Sequence, residues 1–427
     1  MTFERCQRCG VKSQLRIRDM REHVRLALMM AMTAMFTLAG YELMRSASTV
    51  LFKQAYGAEN LPLVMAVMPL VMLLGVWGYG RLLSAVGPQR TLSITTILAA
   101  GIILLAWALY RAGMVWMTPI LFLVKEFYVV LLIEQYWSYM NSKFTPDAAK
   151  RLNGPITGIA GLGSVAGGWA VAQLAVPLGT DLLIPLAALA LFPSAWLANR
   201  TYARFGEPEP EQAGPEPGAT DAAMGGADSL GWQSIRRSKQ LTALLAVVLA
   251  TQIIAAVLDF KFQGLLSEAF AGKPDEETAF QGQFWFYLNS AAVTFQFVFT
   301  PLLLSLFALR IVHLLMPLVH IAVILWAILD PSVFSVGAAF FLFKMFDYSL
   351  FRASKELIYL PLSFSARYRA KEFIDVFGYR TGKGGSSLVV LGLQKLGIAM
   401  MNYYLMIALA FALIWLALVI PLTDRES

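Results

Sequence analysis

The chain has 427 residues, of which 58% are hydrophobic and only 14% charged, against about 25% charged in an ordinary soluble domain. Together with a mean hydropathy of +0.63, this excludes a soluble globular protein and points to one that lives in a bilayer. A net charge of +7 would suit a nucleic-acid binder, but the cations gather in alternate loops between apolar runs, so no nucleic-acid partner is expected.

In chain order, a basic tail (residues 1–23) comes first and is read as an unstructured cytoplasmic segment. Its Cys6 and Cys9 are read as reduced thiols, because a structural zinc needs four ligands and the sequence has no second such pair. The first half, residues 24–200, then offers apolar runs at 24–51, 61–82, 92–110, 117–140, 155–176 and 182–197. Each is long enough, or nearly so, to cross ~30 Å of hydrocarbon as a helix. A segment rich in Pro, Gly and Glu lies inside residues 201–237 and cannot bury a core, so it is read as a flexible linker. The second half, residues 238–422, offers runs at 241–265, 284–307, 311–329, 333–360, 371–396 and 403–422, and residues 423–427 follow as a short tail. Arg81, Arg90, Lys143, Lys150, Arg200, Arg204, Arg236, Arg237, Arg367 and Arg369 all fall in loops on one side of a twelve-span arrangement. Because Lys and Arg accumulate on the cytoplasmic side, both termini are predicted there. The first apolar run is too long for a cleavable signal peptide.

The two halves repeat. Residues 122–127 (FLVKEF) align with 341–346 (FLFKMF), Ala149-Lys150 aligns with Ala370-Lys371, and a Gly-rich stretch follows each pair. The predicted fold is therefore an all-α integral membrane protein of about 12 transmembrane helices in two pseudo-symmetric six-helix halves, which is the major facilitator-like arrangement, with a substrate site near the midplane. Residues 80–90 (GRLLSAVGPQR) resemble that superfamily's loop signature, with Ser84 where the family usually has Asp. Gly163 and Gly167 have no preceding strand and lack dinucleotide-fingerprint spacing, so they are read as helix-packing glycines.

An ionisable group near the bilayer centre costs at least ~2.5 kcal/mol to insert, which makes each one a functional candidate. The spans contain Glu42, Arg45, Lys125, Glu126, Glu134, Asp259, Lys261, Lys344, Asp347, Arg352, Lys355, Glu356, Asp375, Arg380 and Lys383. At ~1.5 Å rise per residue, Lys344 lies ~16 Å deep, Arg380 ~14 Å and Lys383 ~18 Å. Lys344 and Lys355, eleven residues apart, would share a helix face with Asp347 and Phe351. Arg352 with Glu356, and Lys371 with Asp375, are spaced to pair along their own helices. Several cations in a low-dielectric cleft favour an anion that bears phosphate or carboxylate groups. Arg45, Lys344, Lys355, Arg380 and Lys383 are the candidate anion ligands, with Lys261 beside them and with Glu126 and Asp259 pairing or gating. Two alternatives stay open: a proton-coupled symporter of another solute, with Glu126, Asp259 or Asp375 carrying protons, and a non-transporting membrane receptor or assembly protein. No enzyme motif, metal site or cofactor is expected, since His23, His313 and His320 have no metal-ligand spacing.

Residues 346–362 (FDYSLFRASKELIYLPL), then 369–375 (RAKEFID) and 382–385 (GKGG), closely resemble the ATP:ADP antiporter family of plastids and intracellular bacteria. So do 141–151 (NSKFTPDAAKR), the position of Glu126, residues 258–261 and the loop 57–62. In that family's nucleotide exchangers a cation and an Asp follow the span-one Arg; here Ser48 and Thr49 stand after Arg45. The resemblance implies a monomeric secondary transporter of the bacterial inner membrane, working by alternating access on nucleotides or another phosphate-bearing anion and binding ATP as substrate.

Overall fold

The computed structural model describes residues 4–207, 235–236, 238–359, 371, 374 and 378–423. Among these, twelve long helices and no strand are found. They are α1 (Glu4–Tyr56), α2 (Leu61–Val86), α3 (Pro88–Arg111), α4 (Met117–Lys143), α5 (Pro146–Leu178), α6 (Leu183–Phe205), α7 (Lys239–Ala269), α8 (Pro274–Leu306), α9 (Leu309–Leu329), α10 (Val333–Tyr359), α11 (Tyr379–Lys395) and α12 (Tyr404–Thr423). Among the described residues, ten helices are long and apolar enough to cross a membrane. The remaining two are α4, which carries Lys125, Glu126, Glu134 and Lys143, and α11, with 17 residues. The faces of α2 that carry Leu70, Leu73 and Trp77 are exposed, as suits a helix whose solvent is lipid.

Local signals set the helix ends. Gly87 (φ 80°) makes the turn between α2 and α3, a conformation that side chains with a Cβ resist. Thr145 caps α5 by accepting from the Ala148 amide at 3.3 Å, Ser238 caps α7 in the same way, and Ser332 and Ser335 form a capping box on α10. Several boundaries differ from the sequence reading: α5 begins at Pro146 rather than at 155, α6 runs to Phe205 and so into the expected linker 201–237, and α1 differs at both ends. Residues 4–23, expected to be unstructured, continue α1 as helix, since that stretch has no Pro and is rich in Arg, with Gln, Glu and Lys that also favour helix. At its other end α1 runs five residues beyond Leu51, to Tyr56, and so takes Lys53 inside the helix. The linker 208–234, residues 360–370 and Asp375 lie outside the described residues.

The chain forms two compact units. One comprises residues 1–49, 74–212 and 278–286, and the other 50–73, 213–277 and 287–427. In the first, α3 packs along α4 and α6. Short polar side chains stitch the helices: Thr37 Oγ1 to Ser194 Oγ (2.8 Å), Ser93 Oγ to Asn199 Oδ1 (2.8 Å), and Gln135 Nε2 to Thr95 Oγ1 (3.1 Å). A Cβ on Gly163 or Gly167 would run into the α1 backbone at Met35 and Ala39, so both glycines serve close packing as expected. In the second unit α7 packs against α10, α11 and α12. Most of it is apolar, and 78% of its apolar window is buried, which makes it that unit's central helix. Nearby, His320 is buried among the rings of Phe343, Phe346 and Trp415 at 5.0–5.6 Å.

Candidate functional site

In the first unit, the buried charge of α1 is matched group by group. Glu42 and Arg45 are three residues apart and so meet on one face. Arg45 Nη1 lies 3.2 Å from both carboxylate oxygens of Glu42, with side-chain exposures of 16% and 2%. The guanidinium also lies over Trp285 of α8, with Cζ 3.6 Å from the ring centre, and 5.0 Å from that of Tyr41. One turn further along α1, Thr49 Oγ1 accepts from Lys125 Nζ of α4 at 2.8 Å. Lys125 is itself 3.7 Å from Glu126 Oε1 and 3.6 Å from the Phe122 ring centre. Two cations and two carboxylates are thus assembled on adjacent turns of α1 and α4. Around them the hydroxyls of Ser46, Ser48 and Tyr128 are buried without a hydrogen-bond partner.

This arrangement has a chemical consequence. A buried charge without a counter-charge is far too costly to keep, so each cation is held by an internal carboxylate. A phosphate offers more acceptor oxygens and charge than that carboxylate, and the Arg fork suits it. Adjacent residues on a helix point about 100° apart, but the long lysine stem lets Lys125 reach its neighbour Glu126.

The second unit treats its charges differently. Lys344 pairs with Asp347 on its own helix at 3.8 Å and lies 5.4 Å from the Tyr348 ring. The next turn, Asp347–Phe351, is π-helical and adds a residue to the turn, so Lys344 and Lys355 do not keep the three-turn phase expected from eleven-residue spacing. Lys355 is buried, at 4% exposure. Glu356 pairs with Lys371 at 2.7 Å, whereas the sequence reading gave Glu356 to Arg352, which is exposed. A second π turn, Phe295–Phe299 of α8, packs on the first, with the Phe295 and Phe346 rings 5.3 Å apart. On α7, Lys261 donates to the Met401 carbonyl at 3.1 Å, and Asp259 accepts from Gln263 at 3.4 Å. Lys383 is half-buried on α11, where the carbonyl of that residue accepts from Ser386 and Ser387. Arg380 lies in α11, and its side chain is outside the described residues.

Four participants escaped the sequence reading. Lys53 of α1 is bound by Glu277 at the start of α8 and by Gln263 of α7, to the side-chain oxygen at 2.7 Å and the carbonyl at 3.3 Å. Trp285 is the fourth, and the signal for Lys53 was its spacing of four from Thr49 and eight from Arg45. A cavity of about 540 Å³ lined by Gln89, Arg90, Ser93, Asn199 and Glu207 contains none of the candidate residues.

Residues 216–425 match the family model described as TLC ATP/ADP transporter. ADP,ATP carrier protein 1 of Chlamydia muridarum (strain MoPn / Nigg) is 40% identical over 76 residues, 17% of this chain and 14% of the carrier. That of Chlamydia pneumoniae is 38% identical over 76 residues, again 17% of this chain and 15% of the carrier. The matched stretch therefore spans about one seventh of those carriers' length. Among solved structures, a mutant of the nucleoside transporter NupG superposes with a TM-score of 0.68 at 11% identity, over 92% of this chain and 98% of that one. A bacterial homologue of the iron transporter ferroportin, in its inward-facing state, gives 0.64 at 14%, over 94% and 99%. At such identities the likeness is one of fold alone.

Proposed function

We propose that this multi-pass membrane protein, whose residues 216–425 match the TLC ATP/ADP transporter family model, carries nucleotides, or another phosphate-bearing anion, by alternating access, with exchange of one anion for another as its mode. The observation that carries the reading is the Arg45–Glu42 and Lys125–Glu126–Thr49 cluster, a set of buried cations balanced by carboxylates that an incoming phosphate can displace. In this reading Arg45, Lys344, Lys355, Arg380 and Lys383 serve as anion ligands, Glu126 and Asp259 as counter-charges, and Lys261 as a further substrate-binding residue. Exchange needs no ATPase, because the two substrate gradients drive it. The protein sits as a monomer in the bacterial inner membrane with both termini cytoplasmic and performs no catalysis. The relatives' printed name, ADP,ATP carrier, supports this substrate class.

Uptake of labelled ATP into proteoliposomes tests it. Uptake that rises when ADP is loaded inside is the expected result. Absence of both uptake and counter-substrate stimulation would overturn it, and collapse of uptake by a protonophore would favour proton coupling instead.

A further inference from the structure

Where α2 gives way to α3, the first unit has a cavity of about 540 Å³ lined by Gln89, Arg90, Ser93, Ile94, Asn199 and Glu207. Its size is that of a small-molecule site, ~300–1,000 Å³, and no residue proposed to bind the cargo lines it.

The two charges in its wall are positioned separately. Glu207 follows the end of α6, and α4 fixes the backbone there: Tyr139 donates to the Gly206 carbonyl at 3.0 Å and Lys143 to the Glu207 carbonyl at 2.7 Å. That anchorage sets the carboxylate over Gly87, with Oε2 3.5 Å from where a Cβ on that glycine would stand. Arg90 lies in the first turn of α3 and is exposed. Among the described residues, no hydrogen bond or ion pair engages the side chains of Gln89, Arg90 or Glu207. A cation and an anion therefore line one cavity without neutralising each other. Between α3 and α6, Ser93 and Asn199 are half-buried and joined at 2.8 Å.

The surroundings say what kind of molecule reaches this place. Ile94 begins an exposed apolar stripe along α3 that continues through Ile97, Leu98 and Leu105, the surface of a helix whose solvent is lipid. Trp77 and Trp196 are also exposed, and each lies beneath an arginine one turn further along its helix, Arg81 at 4.0 Å and Arg200 at 5.1 Å. Tryptophan and arginine so arranged belong at the boundary between hydrocarbon and headgroups. Asn199 is three residues beyond Trp196, which puts the cavity at headgroup level. A phosphate group suits Arg90, with the Gln89 amide as a further donor. A primary ammonium, with three donors, suits Glu207. A free phosphate or nucleotide offers no acyl chain to the stripe, and a purely anionic lipid offers nothing to Glu207.

We infer that this cavity binds the headgroup of a zwitterionic phospholipid with a primary ammonium, its phosphate on Arg90, its ammonium on Glu207 and its acyl chains along Ile94, Ile97 and Leu98. The site belongs to the lipid around the protein and stands whatever the cargo proves to be.

The test uses full-length protein in mixed micelles that hold equal amounts of phosphatidylethanolamine, phosphatidylcholine and phosphatidylglycerol with the same acyl chains. Native mass spectrometry reads which lipid stays bound. Phosphatidylethanolamine should be retained about tenfold over phosphatidylcholine, whose trimethylammonium cannot donate to Glu207. Glu207→Gln should bring the two to one level, and Arg90→Gln should lower retention of phosphatidylethanolamine about tenfold. Equal retention of phosphatidylethanolamine and phosphatidylcholine by the unaltered protein, a comparison that needs no variant, would overturn the inference. So would a preference that survives Glu207→Gln, or retention of phosphatidylglycerol above the other two. Phosphoethanolamine, the same headgroup without chains, should fail to displace the bound lipid at equal concentration; displacement would show that a small solute, not a lipid, is the ligand and would overturn the assignment.

Discussion

Helices α1 and α10 both carry charge deep in a membrane span, yet they handle it in contrasting ways. On α1 the charged and polar groups recur at Glu42, Arg45, Thr49 and Lys53 along an unbroken helix, and three of the four have partners on other helices, α4, α7 and α8. On α10, Lys344 takes its carboxylate from its own helix, and a π turn then changes which face the next residues present. The difference teaches that regular spacing lets buried charge work between helices, whereas a shifted turn isolates one charge from the next. By this account α1 ties neighbouring helices through its charges, whereas the Lys344–Asp347 pair lies within one helix.

The contrast can be broken at several points. The largest effect is expected from Glu42→Ala, which leaves Arg45 buried without its carboxylate; about 3–5 kcal/mol of stability should be lost, read by denaturation in detergent. Next, Arg45→Lys keeps the charge but loses the planar fork and its stack on Trp285. Nucleotide affinity should fall about 10- to 100-fold in a binding titration, with the fold intact. Thr49→Val removes the hydroxyl that accepts from Lys125 and should cost about 1–3 kcal/mol in the same denaturation assay. Smallest of all, Lys344→Met should cost about 1–2 kcal/mol in the same assay, less than Glu42→Ala because the Lys344–Asp347 pair is longer, at 3.8 Å against 3.2 Å. If Lys344→Met proved as damaging as Glu42→Ala, the distinction between the two helices would be lost.

Much of this was legible before any coordinates. Apolar run lengths gave twelve helices, and the repeat of residues 122–127 at 341–346 placed Lys125 and Lys344 at matching positions in the two halves, each beside a carboxylate, Glu126 and Asp347. The i to i+3 spacing of Glu42 and Arg45 is visible in the letters alone. What the letters hid were partners from distant parts of the chain. Periodicity tells which face a residue occupies, never which helix meets it, so Trp285 and Glu277 could not be assigned to Arg45 and Lys53. Lys53 was hidden for another reason: a lysine past the end of an apolar run is ordinarily read as snorkelling to the headgroups. Here a carboxylate draws it inward and α1 extends to Tyr56. The π turns were invisible because one extra residue in a turn leaves no compositional mark.

The central claim is that buried cations on α1 and α4 exchange internal carboxylates for a phosphate-bearing anion. Thermal denaturation of the purified protein with ATP, ADP and adenosine tests it most directly. ATP and ADP should raise the Tm, adenosine should leave it unchanged, and Arg45→Ala should lose the response. Equal stabilisation by adenosine, or a full ATP response in Arg45→Ala, would contradict the account.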